Sequence, residues 1–82
     1  MGYHKREIRK GFVGESSKIK EELDELLDAE SDDDQVMALI ELSDMVGAIQ
    51  LYLEKHHPTI TVEHLTKLAR KTISAFREGK RT

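Results

Sequence analysis

The chain has 82 residues, with 13 Lys and Arg against 16 Asp and Glu, a single Pro and no Cys. This length allows one small domain, and a domain of this size buries only about two-thirds of the surface of its unfolded chain. The lack of Cys excludes a disulfide framework, thiolate metal ligands and thiol-dependent catalysis. We expect a cytoplasmic protein, because the apolar runs are too short for a membrane span and the start does not resemble a secretion signal.

Charge is segregated along the chain. Residues 21–45 contain eleven acidic residues and no Lys or Arg, whereas residues 1–20 and 46–82 each carry a net charge of +4. This distribution suits either a pair of solvated acidic helices or a site that concentrates cations and, around them, a polyanion. Charge alone leaves both interpretations open.

The first 14 residues contain three glycines and show no helical period, which predicts a basic N-terminal arm or loop over 1–14 and a single domain over 15–82. Four basic residues in the arm lack an interleaved aromatic platform, and the acidic block that follows would repel a nucleic acid. We therefore expect no nucleic-acid binding. These residues are Lys5, Arg6, Arg9 and Lys10.

The next segment predicts a first helix that is capped by Ser16 or Ser17 and ends near Glu30. Its apolar positions repeat at the spacing of one helix face. They are Ile19, Leu23, Leu26 and Leu27. The acidic run at 31–34 breaks the helix, and one of its aspartates is expected to cap the next helix rather than to bind calcium.

A second helix is predicted from about Asp34 to His56, where His57 and Pro58 end it. Apolar residues repeat along it at steps of three and four, which indicates a seam for near-parallel helix packing. The seam consists of Leu39, Leu42, Val46, Ile49 and Leu53. Further apolar residues lie outside this seam, so a small monomer could hardly cover the helix and we expect self-association.

The third predicted helix is capped by Thr59 or Thr61, runs to about Glu78 and is closed by Gly79. One face of it is apolar and comprises Leu65, Leu68, Ala69, Thr72, Ile73 and Phe76. The sequence thus predicts an all-α fold, a helical bundle of three main helices whose four-helix core is completed by dimerisation.

Two carboxylate pairs at i,i+3 spacing stand out on the first two helices: Glu22 with Glu25, and Glu41 with Asp44. Both pairs border the apolar seams, so antiparallel helices would bring them together. Converging carboxylates repel one another unless a cation neutralises them, and hard oxygen ligands favour Mg²⁺ or Mn²⁺. A solvated acidic face remains the alternative, since acidic helices contain such spacings by chance.

Gly47 lies within the second helix, three residues after Asp44, where it costs about 1 kcal/mol relative to Ala. Either close packing of another helix or the approach of a substrate would explain a glycine at this position.

The pattern EExxE at Glu21 to Glu25, followed after 15 residues by ExxD at Glu41 to Asp44, resembles the all-α nucleoside triphosphate pyrophosphohydrolases. This family includes the MazG-type enzymes, the dimeric dUTPases and phosphoribosyl-ATP pyrophosphatase. The chain most resembles small MazG-like proteins of phages and bacteria, because short segments flanking the acidic motifs also match. These segments include Lys10-Gly11, Gly47-Ala48-Ile49 and the stretch 75–81.

The resemblance implies Mg²⁺-dependent hydrolysis of a nucleoside triphosphate to the monophosphate and pyrophosphate. It implies that Glu22, Glu25, Glu41 and Asp44 are metal ligands, and that Glu21 is a further ligand or orients the attacking water. Glu21 and Glu22 are the catalytic candidates. Three basic residues are weaker candidates for binding the phosphates: Lys18, Arg70 and Arg77.

The expected partners are the nucleotide and other copies of the chain, as a homodimer or a dimer of dimers, in the host cytoplasm if a phage encodes the protein. The chain lacks the extra helices of the larger dUTPases, so a neighbouring subunit would have to complete the pocket. The competing hypothesis is a non-catalytic helical dimer that binds a protein or a nucleotide. This second hypothesis requires the apolar seams but not the carboxylate cluster.

Overall fold

The computed structural model describes residues 7–79, which form three α-helices and contain no strand. Helix α1 spans Ser16–Ser31, α2 spans Gln35–His56 and α3 spans Val62–Arg77. The predicted all-α helical bundle is therefore confirmed. The basic residues predicted at 5, 6, 80 and 81 lie outside the described residues.

A three-residue turn folds α2 back along α1, and these two helices form the main packing unit. The side chain of Asp34 caps α2 by accepting a hydrogen bond from Met37 N at 3.0 Å, as the sequence predicts. The chain reverses through Asp33, whose φ of 55° lies in the left-handed region that Asp tolerates better than most residues.

The predicted serine cap of α1 is wrong. Glu15 occupies the N-cap position and makes no side-chain capping hydrogen bond. Ser17 lies inside the first turn, and its Oγ accepts a hydrogen bond from Phe12 N at 3.0 Å. A hydroxyl that holds the preceding loop in this way is not available to cap the helix.

For most of its length, the face of α2 that packs on α1 lies one residue before the predicted seam, of which only Leu53 is buried. Its buried members include Ala38, Glu41 and Ala48, which repeat at helical spacing. The predicted seam residues Leu39 and Val46 are 68% and 50% exposed. Small and acidic residues thus face α1. Much of the predicted seam instead faces outward, and we call its exposed residues Leu39, Leu42 and Val46 the outward stripe of α2.

Helix α3 contacts α2 but not α1, and none of its residues over Val62–Arg77 is buried. Thr61 caps it, with His64 as the reciprocal partner in a capping box. Its predicted core face is largely open in a single copy: Leu68 is 70% and Phe76 59% exposed. The radius of gyration, 14.4 Å, exceeds the value of about 12 Å for a compact domain of this length.

By length and composition alone, α2 is also long and apolar enough to cross a membrane, which the short apolar runs did not predict. A core helix of a soluble protein passes the same test. Glu41 and Asp44 lie in the middle of α2, where ionised carboxylates would be costly in a bilayer.

Candidate metal and phosphate site

Acidic side chains occupy the interface between α1 and α2. Three of them are almost completely buried: Glu21 is 2%, Glu22 5% and Glu41 3% exposed. The buried apolar residues are no more numerous than the buried acids and are mostly small, since three of the four are alanines. Carboxylates therefore lie where a two-helix hairpin would ordinarily place its apolar contacts.

The carboxylates meet in two overlapping groups. Oxygen atoms of Glu21, Glu22 and Glu25 lie within 4.8 Å of one another, and so do oxygen atoms of Glu22, Glu41 and Asp44. Glu22 belongs to both groups and thus joins the acids of α1 to those of α2. The structure brings together all four predicted metal ligands and Glu21.

Burial and neighbouring carboxylates raise the pKa values of two acids in the cluster, Glu22 and Glu25. Burial, followed by the neighbouring carboxylate of Glu25, raises the pKa of Glu22 above its ordinary value. Burial and the facing carboxylate of Glu41 likewise raise the pKa of Glu25. Moreover, Oε1 of Glu22 is buried and receives no hydrogen bond from the described residues.

These residues fit a hard divalent cation. Carboxylate oxygens are the ligands that Mg²⁺ and Mn²⁺ prefer, and the buried Glu22 Oε1 could accept a metal bond without losing another partner. The opposite oxygens around an octahedral Mg²⁺ are about 4.2 Å apart. In each group the three oxygens lie within 4.8 Å of one another, so a modest approach of the side chains would bring them into the coordination sphere of one ion.

Glu21 differs from its neighbours because it is held by hydrogen-bond donors and cations. Its Oε1 accepts the backbone N–H of Gly11 at 2.8 Å and lies 3.2 Å from Lys18 Nζ. Burial would raise the pKa of Glu21, but Gly11 and Lys18 outweigh this effect and lower it. The pKa of Glu21 is therefore shifted in the opposite direction to those of Glu22 and Glu25, which favours its ionised form.

Lys18 is the one predicted phosphate-binding residue that the structure places beside the acids. Its ammonium lies 3.3 Å from Glu22 and also contacts Glu21. Burial would lower the pKa of Lys18, but these two carboxylates outweigh it and raise the pKa. The lysine thus stays cationic next to the cluster.

Arg70 and Arg77 lie on α3, where they line a depression formed by residues of that helix. The structure does not bring them to the carboxylates of the same chain, because α3 has no contact with α1. Lys10 approaches instead, with its ammonium 3.6 Å from Glu21. Lys10 belongs to the basic arm and to the Lys10-Gly11 segment that resembles the MazG-like proteins, but the sequence did not predict that it binds phosphate.

An open groove of about 390 Å³ runs along α2 beside the carboxylates. Lys18, Glu22, Ser43 and Asp44 line its polar part. The remainder of the lining is apolar or lacks a side chain, and consists of Val13, Gly47, Ala48 and Leu51. Sequence reasoning identified neither Val13 nor Leu51 as site residues, because their proximity depends on how the loop before α1 meets α2.

Comparison with protein-family models, curated proteins and solved structures found no match to this chain.

Proposed function

We propose that the protein is a Mg²⁺-dependent nucleotide pyrophosphohydrolase. It would cleave an NTP or dNTP at the α–β phosphoanhydride and release the monophosphate and pyrophosphate. The observation that carries this proposal is the convergence of Glu22, Glu25, Glu41 and Asp44 in one half-buried interface with Lys18 beside them. The similarity of the EExxE and ExxD motifs to those of MazG-like enzymes supports the same chemistry.

In this proposal the four carboxylates hold Mg²⁺, or Mn²⁺, and Glu22 connects the two groups of ligands. The bound ion would neutralise phosphate charge and lower the pKa of a water molecule. Glu21 is fixed by Gly11 and Lys18, which suits it to orient that water or to serve as a further ligand. Lys18 provides a cation for the phosphates. Water adds to phosphorus, the anhydride bond breaks, and a carboxylate accepts the proton.

The proposal includes self-association in the cytoplasm. Large hydrophobic residues on the outward side of α2 and on the apolar face of α3 are exposed in the single chain, among them Leu39, Val46, Leu68 and Phe76, and contiguous exposed apolar surface often marks an interaction site. A homodimer or a dimer of dimers would bury these faces, and a neighbouring copy could bring Arg70 or Arg77 to the phosphates. The cytoplasm, including that of a phage host, supplies both nucleotides and Mg²⁺.

The test is ³¹P NMR of the full chain incubated with each common NTP and dNTP, in Mg²⁺ and in EDTA. We expect monophosphate and pyrophosphate only with Mg²⁺, and loss of turnover in Glu41→Gln. Glu30→Gln removes an exposed acid from α1 and serves as the matched control, which should retain activity. The absence of turnover and of any stabilisation by metal would overturn the proposal and favour the non-catalytic helical dimer.

A further inference from the structure

We propose that the groove along α2 receives the nucleoside part of the substrate, and that Gly47 forms the floor against which the sugar or base lies. This inference rests on the proposed function. It adds to that function a binding site for the nucleoside part of the substrate, a part that inorganic polyphosphate lacks, and assigns substrate positioning to a residue with no reactive group.

The groove has two chemically different parts along one face of α2. Asp44, Gly47 and Leu51 follow one another at helical spacing and all line it. Asp44 lies at the carboxylate cluster, and Leu51 lies two turns away, or about 10 Å along the helix. A ligand whose phosphates lie beside Asp44 and Lys18 would therefore extend its other end over Gly47 towards Leu51.

Nothing within the described chain explains Gly47 by close packing. A Cβ built on this residue would meet no atom within 4 Å, apart from its own helix and immediate neighbours. Gly11 presents the opposite case, since a Cβ there would lie 2.2 Å from the backbone oxygen of Ser17. Glycine is unfavourable within a helix, and among residues 7–79 its effect at position 47 is to leave open space in the groove.

The lining of the groove suits a nucleotide. Its volume of about 390 Å³ falls within the range of about 300–1,000 Å³ that is usual for small-molecule sites, which combine apolar walls with a few polar groups. Val13 and Leu51 provide the apolar walls, and Lys18 provides a cation. Inorganic triphosphate would use the cation and the carboxylates but would leave the apolar part unfilled.

The test compares two ligands and two variants by isothermal titration calorimetry in Mg²⁺. The ligands are an α,β-methylene nucleoside triphosphate, which resists cleavage at the proposed bond, and inorganic tripolyphosphate. Gly47→Leu fills the groove floor. Gln50→Leu, on the same helix but outside the groove lining, is the matched control. Light scattering and melting temperature establish that each variant retains its oligomeric mass and its fold.

We expect Gly47→Leu to weaken binding of the nucleotide analogue by about tenfold or more, the effect of overfilling a packed site. Its affinity for tripolyphosphate should stay within about twofold of wild type, and Gln50→Leu should bind both ligands normally. Gly47→Ala is a milder second variant, whose preserved fold makes an intermediate loss of nucleotide affinity interpretable.

Three results would overturn the inference alone: equal affinity of Gly47→Leu and wild type for the nucleotide, parallel loss of both ligands, or a changed oligomeric mass in Gly47→Leu. The last result would assign Gly47 to a helix contact with another copy. Failure of the wild type to bind either ligand in Mg²⁺ would instead overturn the proposed function, together with the inference that rests on it.

Discussion

The backbone N–H of Gly11 donates a hydrogen bond of 2.8 Å to Oε1 of Glu21. This contact attaches the loop before α1 to the first acid of the carboxylate cluster. It requires glycine, because a Cβ at position 11 would collide with backbone atoms of Ser17 and Lys18. The same loop continues to Gly14, which adopts a φ of 88° beside Lys55 of α2. The loop therefore links the N-terminus of α1 to the C-terminal part of α2.

Two glycine-to-alanine substitutions are expected to act in opposite directions. Gly11→Ala should lower the free energy of unfolding by about 1–3 kcal/mol, because backbone atoms must move and Glu21 loses its donor. Gly47→Ala should raise it by about 1 kcal/mol, because Ala favours the helix and meets no obstruction. Urea denaturation at one fixed protein concentration measures both effects. A stable Gly11→Ala variant with a normal Glu21 environment would contradict the assigned role of the loop.

Because the pKa of Glu22 is raised in the folded state, we expect the ionisation of this residue to make the metal-free protein less stable as pH rises. A glutamate carboxyl in an unfolded chain has a pKa of about 4.3, and burial and Glu25 raise the pKa of Glu22 above its ordinary value in the folded state. Its stabilising contribution is fully present below the pKa of the unfolded state and is lost as pH rises through the higher folded pKa. Glu22→Gln removes this loss, so the variant should be more stable than wild type at neutral pH in EDTA.

Chemical denaturation at a series of pH values in EDTA tests this expectation. Glu30→Gln, an exposed acid on the same helix, should follow the wild-type pH profile. If Glu22→Gln and wild type lost stability in parallel from acidic pH to neutrality, repulsion within the carboxylate cluster would not be the cause.

Divalent metal should reverse the destabilising effect of the cluster. A ligand present at a hundred times its dissociation constant and bound only by the folded state adds about 2.7 kcal/mol to the free energy of unfolding. We expect a gain of this size with Mg²⁺ or Mn²⁺, and most of it should disappear in Asp44→Asn. The gain should also shrink at acidic pH, because protons compete with the metal for carboxylates.

Thermal denaturation with and without Mg²⁺ measures the effect. Asp33→Asn is the control, since this exposed residue lies in the turn between α1 and α2 and should respond to metal as wild type does. An equal response in Asp44→Asn would remove Asp44 from the ligand set.

The outward stripe of α2 predicts self-association through apolar contacts. Leu42 is 45% and Val46 50% exposed in the single chain, and Leu42→Glu would place a charge in the middle of any interface formed there. We expect this substitution to reduce the oligomeric mass measured by light scattering. Thr66→Glu, an exposed polar position on α3, should not change it. A monomeric wild type would contradict the prediction directly.

Much of the secondary structure could be predicted from local sequence signals. An aspartate cap of α2, a threonine cap of α3 at position 59 or 61 and a helix end at Gly79 depend on interactions between residues close in the chain, and the structure has each of them, with Asp34 and Thr61 as the caps. The cap of α1 was predicted wrongly because Ser17 is used by Phe12. That contact depends on the loop folding back onto the helix, which no local pattern reveals.

The sequence by itself determined the three helices, the segregation of charge and the placement of each carboxylate pair on one helix face, since all of these follow from composition and helical periodicity. Only the tertiary structure decided which face of α2 meets α1. Helical periodicity shows which residues share a face, but not which faces of two helices pack together. The face of α2 that packs on α1 lies mostly one residue before the predicted seam, so Glu41 is buried and Leu39 is exposed. The bond from Gly11 to Glu21 and the open space above Gly47 arise in the same way, from contacts between elements that are joined only when the chain folds.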